Sequence, residues 1–346
     1  MKIAYKSQVR DSKKVRDSNM ELLRIVAMFF VVMFHTCDYA VGIPIANDVS
    51  SEFAVSFSCL TMQSITVVCV NLFVLISGWY GIKPKKVKFL DLLFQLAFFI
   101  LVCLVYGYVQ QGNLSLTEIL RTIRLHKMWW FIRSYILLFF LAPVLNAFCE
   151  KATKKEFMMV LAAFYVFSSY NWLFHFVDWM VNGYCTMSFV GLYLLARFAR
   201  MYLPTMISVN QYQWLLLYVF FTILTICLAF VGILTPYLPI DVHELWGYDS
   251  PFVVLASLSL LLFFSKLKIQ SSVVNWVAKS CFAVYLLHTA NYIFPDFKAH
   301  LSQYYLNHSY WTYLLYSIVF SVAVFAIGIL LDKLRILSWN LIAKKR

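Results

Sequence analysis

Arg24 and His35 stand inside a strongly apolar run of the chain, Leu22 to Cys37, and are eleven residues apart. In a helix, at about 100° per residue, that spacing overshoots three full turns by about 20°, so both side chains share one face. At about 1.5 Å per residue they lie about 16 Å apart along the axis. Taken singly, Arg24 reads as a cation snorkelling to the membrane surface, and His35 as a hydrogen-bonding group between packed helices. Taken together they mark one interior-facing stripe, because ionisable groups within membrane spans face the bundle interior or a water-filled cavity. A neutral imidazole, with an ordinary pKa of about 6.5, can take a proton from a hydroxyl or carry an acyl group as a nucleophile. A guanidinium grips phosphate through paired donors.

Other residues could complete the set. Tyr285 and His288 are three apart and share a helical face. Tyr285 could donate to a developing oxyanion, or the two could be interfacial side chains in a chain that holds 22 Tyr. Ser77 and Gly78 permit a close backbone approach, either to a ligand or to another helix. Lys83, Lys85 and Lys86 follow them and either extend a phosphate-binding surface or simply mark a loop on the inner side. Arg133, one turn inside the outer end of its apolar run, suits an acidic sugar, a lipid pyrophosphate or an outer carboxylate. His126, His175, His243, His300 and His308 fall in or near outside loops and read as solvent-facing. The eight Cys are scattered with no Cys-x-x-Cys and no Cys/His cluster, so no metal site is expected.

The elements that must position these residues are membrane helices. The 346 residues are 62% hydrophobic and 13% charged, too little charge to cover a soluble domain. Mean hydropathy is +0.75. The net charge of +13 does not indicate nucleic acid, because the basic residues sit in short clusters between apolar runs of about 20 residues, long enough to span a bilayer. The expected fold is an all-α polytopic membrane helix bundle of about ten transmembrane helices: 20–41, 53–80, 89–110, 128–148, 157–173, 183–201, 212–234, 251–265, 276–295 and 310–331. No domain break is visible, so 1–346 reads as one domain, with 1–19 and 332–346 as polar ends. The first run lacks a small-residue cleavage site and reads as a retained helix, not a signal peptide. With the N-terminus inside, the inner segments hold 22 Lys and Arg and the outer loops hold 4. Both termini are therefore expected in the cytoplasm. Segment 114–127 departs from this pattern: Leu116, Ile119, Leu120 and Ile123 share one helical face, with Arg121, Arg124 and Lys127 away from it. It reads as an amphipathic helix at the headgroups or as a basic rim for an anionic substrate.

Four stretches also carry a resemblance. Glu21-Leu-Leu-Arg-Ile-Val-Ala-Met-Phe-Phe-Val-Val-Met-Phe-His35 resembles the first helix of the acyltransferase-3 family, bacterial membrane O-acyltransferases with an Arg-x10-His signature. Asn71-Leu-Phe-Val-Leu-Ile-Ser-Gly-Trp79 resembles the family's Phe-x-x-Ser-Gly segment. Trp129-Trp-Phe-Ile-Arg-Ser-Tyr135, continuing to Ala142-Pro-Val-Leu-Asn146, resembles its Trp-Phe-x-x-x-Tyr…Pro-x-x-Asn helix. Cys281-Phe-Ala-Val-Tyr-Leu-Leu-His288 resembles its Ser-Phe-Gly-x-Tyr-Leu-x-His segment, with Cys281 for Ser and Ala283 for Gly.

The resemblance implies a multi-pass enzyme of the bacterial inner membrane. It would transfer an acyl group, expected to be acetyl, from cytosolic acyl-CoA to a hydroxyl of a surface polysaccharide or lipid-linked glycan of the cell envelope. His35, Tyr285 and His288 would be catalytic. Arg24, Ser77, Gly78 and Lys83 would hold acetyl-CoA, and Trp130 and Arg133 the acceptor. The competing class is a transporter or polysaccharide exporter, in which the same stripe is a substrate or proton path. Such proteins often show related halves with broken helices, and this sequence shows no such symmetry. A structural subunit without a site is a third class, and the ordered motifs count against it.

Overall fold

The computed structural model describes residues 17–124, 129–174, 177, 182–235 and 241–343. His126, Lys127 and His175 lie outside them. Among the described residues the only regular structure is helical. The first half contains α1 (Ser18–Ala40), α2 (Ala46–Ser51), α3 (Phe53–Thr66), α4 (Cys69–Tyr80), α5 (Lys86–Gln111), α6 (Leu116–Ile123), α7 (Trp130–Lys151) and α8 (Lys154–Phe174). The second contains α9 (Thr186–Met206), α10 (Gln211–Leu234), α11 (Val242–Leu245), α12 (Pro251–Ser265), α13 (Ser272–Ala278), α14 (Cys281–His288), α15 (Ile293–Asn307) and α16 (Tyr310–Ala343).

Helices occupy all ten expected positions, but among the described residues seven stretches are long and apolar enough to cross a membrane: α1, α3 with α4, α5, α7, α8, α10 and α16. The other three differ for separate reasons. Polar residues, Arg197 and Arg200 among them, dilute α9. The apolar α12 has 15 residues. The expected 276–295 span is divided into α13, α14 and the start of α15, with non-helical turns at Lys279–Ser280 and after His288. The long 53–80 run is also interrupted, at Val67 and Val68. Beside that break Asn71 is fully buried and its side-chain amide donates to the Tyr248 carbonyl at 2.9 Å.

Helix α1 is the centre of the bundle. It packs on α3, α4 and α12 to α16. Of its most apolar window 56% is buried, against 22% for α5 and for α16. Exposed Leu101, Val105, Val144, Leu315 and Val319 on the peripheral helices form the apolar surface a bilayer covers. Helix α16 runs well past the expected end at 331. Its buried Arg335 pairs with buried Asp332 at 2.7 Å and with Asp91 of α5 at 2.7 Å, while Gln95 donates to Asp332 at 2.9 Å. Each charge is paired, as burial demands, and the network fixes α5 against α16. Helix α6 opens on a reciprocal cap, with Ser115 Oγ accepting from the Glu118 amide and Glu118 accepting from the Ser115 amide at 2.8 Å. The Ser115 hydrogen bonds hold the Glu118 carboxyl below its ordinary pKa. Leu116, Leu120 and Ile123 of α6 are exposed, as an interfacial helix requires.

Candidate active site

The last residue of α14 meets the outer half of α1. His35 Nδ1 lies 2.9 Å from His288 Nε2, and His288 Nδ1 lies 2.6 Å from the Val284 carbonyl oxygen. A carbonyl can only accept, so His288 Nδ1 bears a proton, and in a neutral ring its Nε2 keeps the lone pair. His35 must then donate from Nδ1, which leaves His35 Nε2 unprotonated. That is the tautomer a general base requires. The donor chain rests on a close helix contact. A Cβ on Gly328 of α16 would sit 2.9 Å from Val284 Cα, so the two backbones touch beside the carbonyl that orients His288. Aromatic rings enclose the pair: Tyr39 and Phe294 lie 5.6 and 5.9 Å from the His35 ring, and Phe297 lies 5.6 Å from His288. Such surroundings strengthen the hydrogen bonds within them.

Two spaces lie along the stripe. Near its Arg24 end is a cavity of about 680 Å³ lined by Arg24, Lys83, Lys88, Lys279 and Arg335, with Asp91 and Ser77. Near its His35 end is a chamber of about 40 Å³ whose walls include His35, Trp130, Tyr248 and Tyr285. Tyr285 is buried, and its hydroxyl sits at the backbone of Phe131, the second residue of α7. The first four amides of a helix lack partners within it, and the Tyr285 oxygen accepts from that of Phe131.

The family model of an acyltransferase domain, acyltransferase-3, matches residues 17–333, nearly the whole chain. The chain belongs to the acyltransferase-3 family. No curated protein and no solved structure matches it. The family match, the helical fold and the seven apolar spans together describe a multi-pass membrane acyltransferase.

Against the sites expected of this acyltransferase-3 protein, the structure brings together His35, His288, Tyr285 and Trp130 at one chamber, and Arg24, Ser77 and Lys83 at the other. Glu21 holds one nitrogen of Arg24 at 2.5 Å. Gly78 faces elsewhere: a Cβ there would lie 2.5 Å from the Tyr193 carbonyl oxygen, so its close approach is to α9. Ser77 donates to the Phe73 carbonyl at 2.9 Å and lies 3.4 Å from the Tyr135 hydroxyl. Arg133 is exposed and lines neither space. Trp130 stacks on Tyr248 at 5.8 Å and meets Tyr184 edge-on at 4.5 Å.

Several contributors were given no role by the sequence reading. Asn146 closes a network in which its amide donates to the Ile82 carbonyl at 2.8 Å, Tyr193 donates to its oxygen at 2.6 Å, and the Ile82 amide donates to Tyr193 at 3.0 Å. This clamps the segment that carries Lys83, and the signal was the Pro-x-x-Asn pattern itself. Lys88 and Lys279 were visible only as loop or span charges. The Arg335 and Asp332 pair had an i, i+3 spacing but lay in a stretch read as a polar end.

Proposed function

We propose that this protein is an O-acyltransferase that moves an acyl group from acyl-CoA to a hydroxyl of a surface polysaccharide or a lipid-linked glycan. The observation that carries the reading is the Val284–His288–His35 hydrogen-bond chain, which leaves one basic nitrogen on His35. In the proposed reaction the acceptor hydroxyl oxygen attacks the thioester carbonyl carbon while His35 Nε2 takes its proton. A C–O bond forms and negative charge moves onto the carbonyl oxygen, where the Tyr285 hydroxyl at the chamber wall would supply a donor. The C–S bond then breaks, and the proton on His35 passes to the leaving thiolate. The cations around the broad cavity suit the phosphates of the donor. Its Arg24 end would face the cytosol across a bacterial inner membrane, with both termini on that side.

The test incubates purified protein in detergent with labelled acetyl-CoA and candidate glycans. Label should enter a glycan, and His35→Ala should lower the rate by about 10²–10⁴-fold, the contribution typical of general acid–base groups. The variant should remain folded. Activity within a few-fold of wild type would remove His35 from the mechanism.

A further inference from the structure

The acyltransferase-3 match ends at residue 333, yet α16 continues to Ala343, and this continuation lines the broad cavity with Arg335, Ile336, Trp339 and Asn340. Helices α5 and α16 run antiparallel here, since Asp332 meets Gln95 and Arg335 meets Asp91. Trp339 stands one turn beyond Arg335, and Lys88 one turn before Asp91, so both lie towards the same end of the cavity. That end is remote from His35. Gly328 of α16 touches Val284 beside the histidine pair, and Trp339 is eleven residues further on, about 16 Å along the axis. Phe73, Phe131 and Phe282, by contrast, line both this cavity and the chamber beside His35.

The remote end carries three kinds of group. Lys88 is an exposed cation, whereas Arg335 is engaged by Asp332 and Asp91. Trp339 is half-buried, and Phe94 of α5 props its ring at 5.1 Å. An indole of the membrane's aromatic belt faces the headgroups and lipid, but this one lines a cavity bordered by cations. Asn340 is exposed, and its carboxamide offers both a donor and an acceptor.

We propose that Trp339 and Asn340 form the nucleobase subsite of the acyl donor. Adenine stacks on the Trp339 indole, Asn340 pairs with the amino group and ring nitrogen on the base's edge, and Lys88 takes a phosphate of the nucleotide. The inference rests on the acyltransferase reading and adds the residues that grip the far end of the donor. A thioester brought to the wall shared with the chamber leaves its nucleotide at the α16 end. A bare phosphate or a lipid headgroup needs cations alone, whereas an indole next to a carboxamide fits a flat base with a donor and an acceptor on one edge.

The experiment uses purified full-length protein in detergent. Calorimetry measures binding of adenosine 3′,5′-bisphosphate, guanosine 3′,5′-bisphosphate and inorganic pyrophosphate. Wild type should bind the adenosine compound at least about ten-fold more tightly than pyrophosphate, as a base stacked on an aromatic ring requires. Trp339→Ala should weaken the adenosine compound by about 5–150-fold, the loss of one such stack, and leave pyrophosphate unchanged. Trp339→Phe keeps a ring and should retain most of the affinity. Asn340→Ala should reduce the preference for adenosine over guanosine. Affinities are compared as ratios within one preparation, so partial misfolding cancels. Should Trp339→Ala not yield folded protein, Trp339→Leu supplies the ratio, and a decrease is again expected. Equal affinity of wild type for the adenosine compound and pyrophosphate, the behaviour of a plain phosphate or headgroup site, would overturn the subsite. So would ratios unchanged in the Trp339 and Asn340 variants. Thiol release from acetyl-CoA with a cell-envelope glycan fraction is followed in parallel: nucleotide binding without any thiol release would leave the subsite standing and overturn the acyltransferase reading instead.

Discussion

His288 has both ring nitrogens engaged, one by a carbonyl and one by His35, whereas His35 has a nitrogen to spare. His288 is therefore a positioning residue in the proposed reaction, and its removal should read differently from removal of the base. His288→Ala leaves His35 Nδ1 without its acceptor, so the ring can turn and both tautomers populate. We expect kcat to fall by less than the about 10²–10⁴-fold assigned to the base. KM for acetyl-CoA should stay near wild type, because the cations proposed to hold the donor lie at the Arg24 end. His288→Gln offers an oxygen that can accept from Nδ1 and should recover part of kcat. Steady-state kinetics on the two variants decide the matter: an increase in KM with kcat unchanged would mean that His288 binds donor and does not orient His35. The Arg24–His35 stripe was legible in the sequence because it follows the 3.6-residue period of one helix. The His35–His288 contact was not, since its partners are 253 positions apart and no local pattern links them.

Elements set the geometry through their contacts and interruptions. The α14–α16 approach depends on Gly328, where a methyl group would meet Val284 Cα at 2.9 Å and Cγ2 at 3.0 Å. Gly328→Ala gains about 0.8–1 kcal/mol of helix propensity but overpacks a backbone contact, which costs about 1–3 kcal/mol. Stability should therefore change modestly, while kcat drops out of proportion, because a shift of α14 carries the Val284 carbonyl and His288 away from His35. Thermal unfolding in detergent together with kcat tests this; a variant with wild-type kcat would show that the α14 position is not critical. Helix positions were readable from apolar runs of bilayer length. The interruptions were not. Val67 and Val68 contain neither Gly nor Pro, and their break accompanies tertiary partners, such as the Tyr248 carbonyl that receives Asn71. The continuation of α16 was hidden for the converse reason: Asp332 and Arg335 look like a polar end until Gln95 and Asp91 of α5 supply their partners.

At the scale of the whole molecule, the charge asymmetry of the loops and the two spaces of the interior agree in direction. Asp48 follows α1 beyond His35, at the end of the bundle where α2 begins. Lys154 follows α7, whose Asn146 hydrogen-bonds Ile82, a residue lining the broad cavity near Arg24. The two positions therefore lie at opposite ends of the bundle. By the positive-inside rule, the distribution of 22 against 4 Lys and Arg in the sequence predicts that the cavity end faces the cytoplasm. In the proposed reaction a donor carrying phosphates would enter from that side, where the cations line the broad cavity. The prediction is that Asp48→Cys, in intact cells, reacts with a membrane-impermeant maleimide, and that Lys154→Cys reacts only after permeabilisation. Both are made in a Cys227→Ser background, because Cys227 is the exposed native thiol among the described residues. Labelling of both positions from one side would contradict the alternation of α1, α3–α4, α5 and α7 across the membrane. Labelling in the reverse sense would keep the fold but turn the cationic cavity to the outside, where cytosolic acyl-CoA cannot enter it, and would remove the proposed donor route with it.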